Sequence, residues 1–103
     1  MKSFNKLTPA QIELLAKLSE EAGEVVQAIG KILRRGFDRK NPHKGGPTNR
    51  RHLEIELGDL HAAENALVTL GELKLRRIED ACREKTKTAK KWLYHQDRRY
   101  IVI

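Results

Sequence analysis

Between Pro9 and Gly36, apolar residues return every three or four positions: Leu15, Leu18, Ala22, Val25, Val26, Ile29 and Leu33. That period suits an α-helix and no strand. Its start is well marked. Thr8 can cap the helix, Pro9 suits the first helical position, and Gln11 completes a capping box. Leu7 and Ile12 stand where a hydrophobic staple would close the entry. Arg34 and Arg35 suit the negative end of the helix dipole, and Gly36 is a natural stop. The pattern predicts one long helix over about residues 9–35.

Residues 36–48, GFDRKNPHKGGPT, are broken by two prolines and three glycines, and only Phe37 could anchor them to a core. This basic loop leads to a second helix capped by Thr48 or Asn49. Leu53, Leu57, Leu60, Ala63, Leu67 and Leu70 mark its apolar side, and Gly71 ends it. A third helix is predicted over about residues 75–92, with Ile78, Cys82, Ala89 and Trp92 at helical spacing. The C-terminal tail, 94–103, closes on the apolar Tyr100-Ile101-Val102-Ile103, which is expected to dock on the chain or on a partner subunit. The expectation is all-α: a long helical hairpin plus a third helix, in a single domain over residues 1–103.

A chain of 103 residues can bury one modest core. No apolar run approaches the roughly 20 residues that span a membrane, and no leader pattern opens the chain, so a soluble, cytoplasmic protein is expected. The lone Cys82 excludes an intrachain disulfide and a cysteine-rich zinc site. Its helical spacing predicts a small buried apolar residue. The net charge of +7, concentrated in the middle segment and the C-terminal third, calls for an anionic partner. A small basic nucleic-acid-binding helical protein would satisfy it. With 5% aromatic residues and no recognised binding motif, the sequence argues against nucleic acid.

The acids are more specific. Glu20-Glu21-Ala22-Gly23-Glu24 reads EExxE, and Glu56-Leu57-Gly58-Asp59 reads ExxD. Carboxylates three apart on a helix face the same way and offer oxygen to one site. At about 100° per residue, Glu21 falls at the edge of the first helix's apolar arc, near Leu14, Val25 and Ile32. Glu24 lies one step further round, and Glu20 points to solvent. Glu56 falls inside the second stripe, bracketed by Leu53, Leu60, Ala63 and Leu67, with Asp59 on the adjoining edge.

An ionised carboxylate among leucines needs a partner. For a single acid, a lysine or arginine across the interface would suffice, and Glu64 is read that way, as an ion pair or inter-subunit contact. Two such pairs on consecutive helices favour a bound cation. No histidine stands three residues after a glutamate, which argues against di-iron ligation. An all-oxygen set favours Mg²⁺, with Mn²⁺ as a possible substitute.

EExxE followed by ExxD on consecutive helices resembles the MazG-like all-α nucleoside triphosphate pyrophosphohydrolases. Their relatives include dimeric dUTPases, dCTP pyrophosphatases and phosphoribosyl-ATP pyrophosphohydrolases. The resemblance covers about residues 12–92 and includes the contexts LSEEAGEVVQAI and LEIELGDLHAA. It implies hydrolysis of a nucleoside triphosphate between the α- and β-phosphates, with Glu21, Glu24, Glu56 and Asp59 as magnesium ligands and catalytic residues. It also implies a homodimer or tetramer with four-helix-bundle-like cores.

Two departures stand out. Residues 25–55, 31 in all, separate the two motifs, longer than is usual in the family. Relatives place a Lys and then an Asn or Arg on the third helix to hold phosphates. Here that helix offers Arg83, Lys85, Lys87, Lys90 and Lys91. Arg83 and Lys87, with Arg34 and Arg35, are the candidate substrate-binding residues. Phosphoribosyl-ATP hydrolysis and a non-catalytic nucleotide sensor are the alternatives within the family.

Overall fold

The structure, a computed structural model, describes residues 4–41 and 45–96. Helix α1 runs Pro9–Arg35 and α2 Asn49–Leu70, with a small hairpin of β1 (Lys40–Asn41) and β2 (Gly45–Thr48) between them. Helix α3 spans Leu75–Ala89 and continues into a 3-10 turn, Lys90–Trp92. The all-α expectation and the helix limits hold. The chain forms two compact units, Met1–Leu70 and Gly71–Ile103.

At the start of α1 the capping box forms. The Thr8 hydroxyl accepts from the Gln11 backbone N–H at 3.1 Å, and Gln11 Oε1 accepts from the Thr8 N–H at 2.7 Å. At its end Gly36 adopts φ 89°, a backbone region that suits glycine, and its N–H donates to the Ile32 carbonyl at 2.7 Å. The following segment is not wholly irregular. Lys40 pairs opposite Thr48 and Asn41 opposite Gly45 in a short antiparallel ladder.

That hairpin is tied to the start of α2. The Asn49 and Arg50 N–H groups donate to the Arg39 and Phe37 carbonyls at 2.9 and 2.8 Å, and Asn49 Nδ2 donates to the Gly36 carbonyl at 3.0 Å. Thr48 caps α2 by accepting from the Arg51 N–H at 3.2 Å. Phe37 anchors the segment from the surface. Its ring lies 4.8 Å beneath the Arg50 guanidinium, which also pairs with Asp38.

The bond between Gly36 and Asn49 brings the end of α1 beside the start of α2, and Leu14 near the start of α1 shares a cleft with Ala66 near the end of α2, so the two helices run antiparallel. The core of this unit is small: Ala28, Ala63 and Leu67 are its buried apolar residues. Leu18, Val25, Ile32, Leu53 and Leu60 flank them, half-buried. This corrects the expected phase of α1. The covered face carries Leu18, Glu21, Val25, Ala28 and Ile32, while Leu15, Val26, Ile29 and Leu33 stay exposed, Leu33 at 82%.

The physical reason is width. The apolar residues of α1 span more than one face, and a single partner helix covers only one stripe, centred where alanine permits the closest approach. Leu57 and Leu70, expected inside α2, are likewise exposed. In the second unit, Cys82 is exposed rather than buried. Spacing shows which side a helix could bury, but α3 has no buried residue. The expected docking of Tyr100–Ile103 lies outside the described residues. Among the described residues, no helix is long and apolar enough to cross a membrane.

Candidate metal centre

Antiparallel packing of α1 on α2 sets the EExxE turn against the ExxD turn. Glu21, Glu24, Glu56 and Asp59 each offer an oxygen, and these oxygens all lie within 4.8 Å of one another. Only the depth of Glu21 differs from what the helical phase predicts. Glu21, expected on the rim, is 5% exposed and is the deepest acid among the described residues. Glu56 is inward as predicted, with its side chain 12% exposed. Glu24 is half-buried and Asp59 exposed. Glu20 faces solvent, as expected, with Lys17 3.7 Å away.

Each deep carboxylate is held on one side only. Lys17 Nζ lies 3.1 Å from Glu21 Oε1, and His52 Nε2 lies 3.1 Å from Glu56 Oε1. Glu21 Oε2 and Glu56 Oε2 are buried with no hydrogen-bond partner. Buried polar atoms are normally satisfied, so two orphaned oxygens in one cluster point to a missing positive partner.

The electrostatics agree. The neighbouring Glu56 carboxylate first, and then the charge of Glu21, push the Glu24 carboxyl above its ordinary value. The hydrogen bond to Glu21 and the charges of Glu20 and Glu21 hold the Lys17 ammonium above its own. A carboxyl crowded by like charges gains affinity for a proton or for a cation. Four carboxylates with two orphaned oxygens fit a hard divalent cation, whose preferred donors are oxygen.

An open cleft of about 420 Å³ adjoins the cluster. Lys17, Glu21 and Asp59 line it together with Leu14, Ala62 and Ala66. It combines a cation, two of the acids and an apolar wall.

The candidate substrate-binding residues stand on two elements. Arg34 and Arg35 stand in the last turn of α1. Ten helical steps, a rise of about 15 Å, separate Glu24 from Arg34. Arg83 and Lys87 are exposed on α3 in the second unit, and Arg83 pairs with Asp80. Glu64 does have a basic neighbour, His61, at 4.0 Å on its own helix. Lys17 and His52 escaped the reading of the sequence. Each stands four residues before a deep acid, a spacing at which helical side chains meet.

Residues 10–93 match the family profile of the MazG nucleotide pyrophosphohydrolase domain. No curated protein and no solved structure gives a match to the chain.

Proposed function

The chain belongs to the MazG nucleotide pyrophosphohydrolase family, and from that premise we propose that it hydrolyses a nucleoside triphosphate, ribo or deoxy, with Mg²⁺ as its cofactor. The bond cut is the one between the α- and β-phosphates, and the products are a monophosphate and pyrophosphate. One observation carries the reading: four carboxylates within mutual reach, two of them deep and each keeping an unpartnered oxygen.

Glu21, Glu24, Glu56 and Asp59 would hold the divalent cation, which when bound neutralises phosphate oxygens and acidifies water. The protein's own residues do the rest. Glu24 is the better general base of the α1 pair. It is more accessible than Glu21. It takes the proton of the attacking water as the oxygen–phosphorus bond forms and the pyrophosphate departs with its bridging oxygen. Lys17, at the cleft wall, supplies positive charge beside the acids. Arg34, Arg35, Arg83 and Lys87 are the further phosphate contacts proposed. The nucleoside lies along the apolar side of the cleft, against Leu14, Ala62 and Ala66.

The protein is also proposed to work as a homodimer or tetramer. The open apolar side of α1, with Leu15, Val26, Ile29 and Leu33, supports this.

The test is a panel of each NTP and dNTP, with phosphoribosyl-ATP, incubated with Mg²⁺ or Mn²⁺ and assayed for monophosphate and pyrophosphate. Release of both from at least one nucleoside triphosphate is expected. Turnover of phosphoribosyl-ATP alone would replace the substrate assignment. Cation binding without any turnover would make the protein a nucleotide sensor. A salt-sensitive shift of DNA or RNA with no turnover would favour the nucleic-acid reading.

A further inference from the structure

Glu56 reaches the cluster through a flexible side chain whose two carboxylate oxygens are chemically equivalent, and whose last torsion is broad. Something must decide which oxygen is offered. In the structure the choice is made: Oε1 lies 3.1 Å from His52 Nε2, and Oε2 is buried with no partner. A carboxylate oxygen only accepts, so Nε2 carries the hydrogen of this bond.

His52 is not itself one of the clustered donors. The group whose ligand atoms lie within 4.8 Å of one another consists of the four carboxylates alone. Nor is the pair an ordinary surface contact. Arg51–Glu54 and Lys17–Glu20 are helix pairs with both side chains more than half exposed, whereas His52 and Glu56 are 31% and 12% exposed.

We propose that His52 is a positioning residue: its Nε2–H holds Oε1 of Glu56 and thereby leaves Oε2 as the oxygen offered to the divalent cation. The inference rests on the cation reading of the cluster and goes beyond it, because it assigns a role to a residue outside the acidic motifs. Outer partners of this kind commonly change metal affinity about ten- to a hundredfold when removed.

The test is titration of the chelator-treated, full-length protein with Mn²⁺, following free Mn²⁺ by electron paramagnetic resonance, with thermal unfolding of each metal-free variant alongside. His52→Ala is expected to weaken Mn²⁺ binding about tenfold. His52→Gln restores a donor at the same reach without the ring, and is expected to bind within about threefold of the parent. His52→Leu fills the space without a donor and should bind as weakly as His52→Ala, so the comparison survives if the alanine variant does not fold.

Equal affinity in the parent and His52→Leu would overturn the proposal, as would a glutamine variant as weak as the leucine one. A parent that binds no Mn²⁺ would overturn the cation reading and this inference together. A parent that binds, with all variants matching it, would overturn this inference alone.

Discussion

At the scale of residues, the acids fall into two classes. Glu56 and Asp59 contribute oxygens to the cluster, whereas Glu20 is solvent-facing beside Lys17. Glu56→Gln or Asp59→Asn should therefore lower kcat/KM by at least about a hundredfold, and Glu20→Gln should stay within about threefold. Unchanged turnover in the first two variants would remove them from the site. Glu24 makes a different prediction. Its raised carboxyl pKa means that the folded, metal-free protein holds this proton more tightly than the unfolded chain does. Stability in chelator should accordingly fall as pH rises from the ordinary carboxylate range through the folded pKa. Glu24→Gln should flatten that part of the pH profile in thermal unfolding.

These acids were legible because three-residue spacing fixes their common direction. The depth of Glu21 was not. Helical phase gives angles relative to a stripe, and the stripe of α1 is too wide to show which part of it α2 would cover. Glu21 consequently turned out to be the deepest acid among the described residues rather than a rim residue. Lys17 and His52 were readable in principle, since both contacts are four-residue helix pairs.

At the scale of elements, local chemistry settled the helix ends. The capping box of Thr8 and Gln11, the stop at Gly36 and the start at Thr48 all act within a few residues of themselves. The hairpin between the helices was less legible, because its ladder is short and its anchors come from elsewhere in the chain. Asn49 is central to that anchoring: its backbone meets Arg39, its side chain meets Gly36, and it is itself buried. Asn49→Ala leaves the Gly36 carbonyl without that donor and should cost about 1–3 kcal/mol. Denaturant unfolding measures this, with the Mn²⁺ affinity of the folded variant unchanged; a loss below about 0.5 kcal/mol would show that water replaces the bond.

At the scale of the whole molecule, the open side of α1 calls for a cover. Val26 is 68% exposed in mid-helix, and Leu15, Ile29 and Leu33 are exposed with it. Patches of this kind are usually interaction surfaces. Light scattering at micromolar concentration is expected to return a multiple of 11.8 kDa, and Val26→Glu with Ile29→Glu should lower it towards one chain. A monomeric parent would contradict the assembly.

The position of Glu21 has one more consequence. It shares the buried face of α1 with Ala28, where a fold designed only to persist would carry a hydrocarbon. Isosteric hydrophobes at buried ionic positions often stabilise by about 1–4 kcal/mol. In chelator, Glu21→Leu should then melt at a higher temperature than the parent while losing turnover. With the proposed cation role, heat resistance and catalysis make opposite demands on this one position, so selection for hardiness alone would erase the activity.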